Sequence, residues 1–434
     1  MDLSEDGMTR PLSARMRPGL LGGASVLSLT MVAVSAVNYG LNVVLVRLLD
    51  PAQFGDVALA ITVVLTASVV AATLQMVASR SVAADPASAP AVRRVLLRAA
   101  SVAGAAALVL LGGGAWILAD LLRTSSPWIF VIIAAGLPVY FLQAVHRGLL
   151  QGQLRFTRVA ASYAAEAGVR LLIAVTLVML GFGPIGAALG IFASFLASAA
   201  VAWTRRPESG SIKTAAAALG TAVASASMML LAQALVNNAD VVVAKALFAP
   251  AAAGAYAAAA VLCRSLYFLA WTVIQVSVPL LASAATAAAR RRIILVAGGV
   301  ICALGVLGVI AAATVGDEAV RIVFGPAYGA ATVLLVPSVL CATVLSASTF
   351  IAAVDLAAGR SGTAAVLLGG AVLQVPILMF LATDPLSLIL FQVLTMTLTL
   401  AGQGVLVVSR RMRRPTLRPH AGELHPTTPT VSAK

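Results

Sequence analysis

The stretch 35-SAVNYGLNVVLVRLLDPAQFG-55 decides how this chain is read, because a second stretch, 233-QALVNNADVVVAKALFAPAAAG-254, answers it. Ser35 falls opposite Gln233, Asn42 opposite Asp240 and Arg47 opposite Lys245 at a constant offset. After one inserted residue, Gly55 falls opposite Gly254. The match is weak residue by residue but consistent in polarity at these positions. Self-similarity at this distance marks two structural repeats. If each repeat opens a half of six membrane spans, both start on the same side, and the halves are related by an axis along the membrane normal. A transporter with its cavity between two lobes follows.

Composition requires the membrane. Of 434 residues, 61% are apolar and only 10% are charged, and the mean hydropathy is +1.03. A soluble domain carries about 25% charged residues, so a long chain this poor in charge could not cover a surface in water. Hydropathy and bilayer thickness place spans at about 20–46, 56–79, 95–119, 128–147, 160–182, 184–203, 215–244, 254–281, 293–315, 330–354, 362–382 and 386–408. The expected fold class is an all-α polytopic membrane protein, with twelve transmembrane helices in two six-helix bundles related as parallel repeats. The chain then divides into a cytoplasmic N-terminal segment (1–19), lobes at 20–204 and 215–409, a cytoplasmic linker (205–214) and a disordered cytoplasmic tail (410–434).

The net charge of +14 is a matter of placement. Most basic residues, among them Arg80, Arg93, Arg94, Arg98, Arg147, Arg155, Arg158, Arg205, Arg206, Arg290, Arg360 and Arg410, fall on one side together with both termini. Positive residues stay inside, so a multi-pass cell-membrane protein with both termini cytoplasmic is expected. The charge therefore reports topology, and no nucleic-acid partner is expected. The first apolar run is too long for a signal-peptide core, so no cleavage is expected.

Short outer loops leave no room for an outer catalytic domain. HExxH, GxSxG and a phosphate-cradling Gly-Lys-Ser/Thr loop are all absent from the sequence. Cys263, Cys302 and Cys341 lie far apart inside apolar runs, without metal-ligand spacing. An enzyme is not expected, and neither catalytic residues, a metal nor a cofactor is assigned.

Polar residues inside the spans carry the functional reading, since an arginine at mid-bilayer costs about 2.5 to 3.5 kcal/mol on insertion scales and should face protein or water. Arg264 is placed near the midplane, with Tyr267, Trp271 and Gln275 following on one helical face. A cation, two aromatic faces and an amide suit phosphate and sugar; the alternative is a structural arginine beside a packed stripe. Gln233, Asn237 and Asp240 stripe the seventh span, and Ser28, Ser35, Asn38 and Asn42 the first. Asp240 is the candidate for ion coupling, unless Asn237 or Lys245 merely holds it. Glu166 and Arg170 form an i, i+4 pair in the fifth span, either self-neutralising or leaving Arg170 as a second cavity cation.

Arg47 and Lys245, near span ends, are expected to reach the headgroup layer. Asp355 and Arg360 are expected to form a solvated loop pair. Trp116, Trp128 and Trp203 read as interface anchors, and Gly112 to Gly114 as a site of close helix packing.

Five segments carry a family resemblance: Asn38 to Gly55; Leu149 to Phe156 (LLQGQLRF); Asn238 to Tyr256; Phe324 to Ala331 (FGPAYGAA); and Ala357 to Arg360 (AAGR). In this order they resemble the multidrug/oligosaccharidyl-lipid/polysaccharide exporter superfamily, and within it the branch of O-antigen and exopolysaccharide repeat-unit flippases. The resemblance implies alternating access that moves a polyprenyl-diphosphate-linked oligosaccharide from the cytoplasmic to the outer leaflet, for export of cell-surface polysaccharide. Its partners would be that lipid-linked oligosaccharide, membrane lipid, and a polysaccharide polymerase and glycosyltransferases. The rival readings are a cation-coupled multidrug exporter of the same superfamily, which would need an acidic cavity, and a non-transporting scaffold, which would need no deep charges.

Overall fold

A computed structural model describes residues 18–203 and 220–412. The segments expected as N-terminal arm and tail lie almost wholly outside the described residues, and the linker entirely so. The helices are α1 (Pro18–Leu48), α2 (Pro51–Ala84), α3 (Ala89–Ala107), α4 (Ala115–Leu121), α5 (Trp128–Gly152), α6 (Phe156–Leu177), α7 (Gly183–Ala202), α8 (Gly220–Leu247), α9 (Pro250–Ser283), α10 (Ala287–Val323), α11 (Thr332–Ala357), α12 (Gly362–Leu381) and α13 (Pro385–Met412). Among the described residues, 11 segments are long and apolar enough to cross a membrane. The longest, Phe156–Ala202, holds two helices, α6 and α7. They part at Gly181 and Gly183, whose φ angles of 90° and 51° only glycine adopts without strain. Each of the twelve expected spans therefore has its crossing, with α3 and α4 sharing the third.

Local chemistry sets the turns. Asp50 caps α2 by accepting the Gln53 amide at 2.9 Å, and Pro51 occupies the first turn, where its missing N–H costs nothing. Before α13, Asp384 accepts the backbone amide of Ser387, the Thr383 hydroxyl and the Leu386 amide. These bonds hold its carboxyl below the ordinary aspartate range.

The two halves pack by one scheme. In the first, α1 lies on α6, α2 on α5, and α5 on α3 and α7. In the second, the counterparts repeat it: α8 on α12, α9 on α11, and α11 on α10 and α13. The lobes meet chiefly where α2 packs against α8 and α9.

That seam has a definite place. Phe54 through Ala60 on α2 and Ala253 through Ala260 on α9 are continuously buried, whereas a helix facing neighbours on one side only would alternate. Exposed positions return farther along, at Leu65 and Val70 on α2 and at Phe268, Leu269 and Val276 on α9. The lobes thus press together at the end opposite the basic loops. Gly55 and Gly254, counterparts in the repeat, touch each other there: a Cβ on Gly55 would lie 3.2 Å from the Gly254 Cα, and one on Gly254 would overlap the Pro51 carbonyl oxygen.

Several expectations need correction. Arg147 does not sit in a basic loop; α5 runs on to Gly152, leaving Arg147 3% exposed within the first lobe. Asp355 is not solvated but buried, where Arg360 at 2.6 Å, Arg410 at 2.7 Å and Thr363 at 3.0 Å clamp α11, α12 and α13 together. Gly112 to Gly114 mark a π turn (Leu108–Gly112) and a break, and the close approach in that crossing is at Gly104, where a Cβ would crowd Pro138.

Candidate functional site: two buried charge networks

The second lobe contains a pocket at membrane depth. Arg264 lies about 21 Å along α9 at 1.5 Å per residue, near the middle of that 34-residue helix. Its Nη2 meets Asp240 Oδ1 on α8 at 3.0 Å. Tyr256 donates to the other Asp240 oxygen at 2.9 Å and lies 3.2 Å from Gln392 Oε1 on α13, while the Gln392 amide donates to the Val236 carbonyl at 3.1 Å. Asp240 is thus held from α9 by two donors, and its side chain is 6% exposed against 15% for Arg264. The open part of the guanidinium faces a pocket of about 370 Å³ of empty space, its mouth included. Asn237, Tyr267, Cys263, Ser338 and Cys341 share the lining. The enclosed cavity itself is about 40 Å³, room for a few waters at most, so a headgroup could enter only if the surrounding helices part.

The expected stripe on α9 divides. Arg264 and Tyr267 line the pocket, whereas Trp271 packs in an apolar cluster with Met229, Ile274 and Phe350, and Gln275 is exposed. On α8, Asn237 donates to the Gln233 backbone carbonyl at 2.9 Å, and the buried Gln233 Nε2 has no hydrogen-bond partner among the described residues.

The first lobe holds a different network. Glu166 is shared by Arg170 at 2.6 Å and Arg147 at 2.8 Å. Arg147 also donates to Ser162 at 2.9 Å and Ser198 at 2.5 Å, and its guanidinium lies 3.7 Å from the centre of the Tyr163 ring. Arg170 reaches Ser194 at 3.3 Å and, across to α1, Asn38 Oδ1 at 3.4 Å. Asn42 donates to the Asn38 carbonyl at 2.9 Å, leaving its buried Oδ1 without a partner among the described residues. Two cations share one carboxylate, so this lobe keeps a surplus positive charge that the Arg264–Asp240 pair lacks.

A third pair joins the lobes. Lys245 does not reach the headgroup layer; it is 1% exposed, with its ammonium 2.6 Å from Asp56 Oδ1 on α2. Burial between two lobes leaves that ammonium no water, so it takes the carboxylate instead. Arg47 is exposed and donates to the Val323 carbonyl at 2.6 Å.

Sequence reading missed Asp56, Arg147, Tyr256 and Gln392. Tyr256 lies inside a quoted family segment, which was its one available signal.

Twelve apolar crossings among the described residues, in two repeated lobes with buried ion pairs, make up this fold. Its likeness to solved structures is close: an inward-facing multidrug resistance MATE family transporter of the MOP superfamily has a TM-score of 0.71 at 13% identity, covering 90% of this chain and 99% of that one. The lipid II flippase MurJ in an inward closed conformation has 0.73 at 10% identity, covering 88% and 87%. An outward-facing MATE family transporter has 0.55 at 16% identity, covering 90% of this chain and 96% of that one. No curated protein matches the chain. The protein thus has the fold shared by these MOP-superfamily transporters. Residues 44–333 match the family described as polysaccharide biosynthesis protein, and the chain belongs to that family.

Proposed function

We propose that the protein flips a polyprenyl-diphosphate-linked oligosaccharide from the cytoplasmic to the outer leaflet by alternating access between its lobes, with the basic end in the cytoplasm. A diphosphate head cannot cross hydrocarbon without donors that replace its lost water. The observation that carries this reading is the pair of partly open arginines at membrane depth, one per lobe: Arg170 at 17% and Arg264 at 15% side-chain exposure. The surplus charge of the first lobe draws the anion in. Arg264 then exchanges Asp240 for the anion, and the carboxylate left behind is the group that accepts a proton or cation and couples transport to a gradient.

The buried seam at the outer end supports a state closed to the outer side. Cationic drugs are disfavoured as cargo, because the two carboxylates beside the membrane-depth arginines, Glu166 and Asp240, are both neutralised by them. A deletion strain should accumulate the lipid-linked oligosaccharide at the cytoplasmic face and lose the outer polymer. Normal polymer without accumulation would reject the proposal.

A further inference from the structure

We propose that Lys245 and Asp56 form the latch that keeps the outer route closed, so that parting this ion pair is what opens the protein to the outer side. This rests on the membrane orientation given above. Both side chains are nearly inaccessible, at 1% and 3%, and theirs is the one ion pair among the described residues that bridges the two lobes. Asp56 is held from its own lobe as well, by the Ser125 amide at 2.9 Å. Lys245 Nζ lies 3.5 Å from the Arg123 carbonyl.

Around the pair the seam is closed by shape. The Gly55 and Gly254 backbones touch; Tyr328 of the second lobe donates to the Leu49 carbonyl at 3.0 Å and meets Phe54 edge-on at 6.2 Å. All of these residues lie where α1 turns into α2, α8 into α9 and α10 into α11, at the same end of the molecule. Opening that end must separate them together.

The energetics make the pair a latch rather than a strut within one lobe. Two charges buried against each other are tolerated, but one alone in the same place is not. Opening would expose both to water, so removing one partner penalises only the closed state. Removing both with apolar substitutes of similar volume relieves the penalty and leaves the seam closed.

The test needs no cargo. In the full-length protein with its three native cysteines replaced by alanine, spin labels at Leu121→Cys and Ala330→Cys report the distance between the outer ends of the lobes in vesicles of bacterial lipid. The parent should give a predominantly short distance. Asp56→Asn and Lys245→Met should each raise the long-distance population at least about tenfold relative to the short one. The double variant Asp56→Leu/Lys245→Met and the swap Asp56→Lys/Lys245→Asp should restore the short distance. Single variants with the parent distribution would overturn the latch. Should the singles not fold, the swap decides: a folded, closed swap supports it, and a folded, open or unrecoverable swap overturns it. None of these outcomes bears on which lipid is carried.

Discussion

The first lobe binds two arginines to one carboxylate, whereas the second binds one arginine to one carboxylate and a tyrosine. The repeat gave both lobes the same packing scheme but not the same charges. The difference teaches that helix packing and transport chemistry are set by separate residues. The first lobe offers standing attraction for an anion, and the second offers a pair that must be broken to bind one. Symmetry supplies the scaffold, and asymmetry supplies a direction for events within it.

The contrast can be broken most severely at Glu166. Glu166→Gln leaves Arg147 and Arg170 facing each other without a counter-charge, and loss of one member of a buried pair costs about 3–5 kcal/mol. The expected result is a large drop in the melting temperature of the purified protein and little folded material in the membrane. An unchanged melting temperature would mean that the first lobe does not depend on the shared carboxylate.

Asp240→Asn should be milder, because the Arg264 it frees is open to the pocket. A loss of about 1–3 kcal/mol is expected, with transport persisting but no longer following the proton or cation gradient. Gradient-dependent transport at the full rate would remove Asp240 from the mechanism. Tyr256→Phe is the smallest change. It deletes one hydroxyl and leaves the Arg264–Asp240 pair in place, for a loss of about 1 kcal/mol by thermal unfolding and transport close to normal. A larger effect than that of Asp240→Asn would show that the tyrosine, rather than the ion pair, organises the second lobe.

Much of this molecule could be read before its structure. Twelve spans and their pairing into repeats follow from hydropathy and from two matching stretches, since membrane thickness and helical rise leave little choice. Arg264 and Asp240 stood out because charges at that depth are costly. Pairs close in sequence could be read, Glu166 with Arg170 and Asp355 with Arg360, but pairs between distant segments could not. Periodicity places residues on one helix face, but Arg264 meets Asp240 from a different helix, and Lys245 meets Asp56 from a different lobe.

Asp56 gave no warning, because an acidic residue near the start of a helix is ordinary. Its repeat counterpart is an alanine beside Gly254, so the repeat did not point to it either. Arg147 was misplaced because hydropathy ends a span at its first charge, whereas the helix continued beyond it. Trp271 and Gln275 shared the face of Arg264 by spacing, yet along a 34-residue helix that face passes out of the pocket.

The central claim, that Arg264 meets an anionic headgroup in transit, is tested most directly by transport per folded molecule. Wild type, Arg264→Ala and Arg264→Lys would be reconstituted with the lipid-linked oligosaccharide that accumulates in a deletion strain. The alanine variant should fold and transport nothing measurable, because it removes the donor that offsets desolvation of the head. The lysine variant should retain part of the rate, having the charge without the two-pronged geometry. Equal rates per folded molecule in all three would contradict the account.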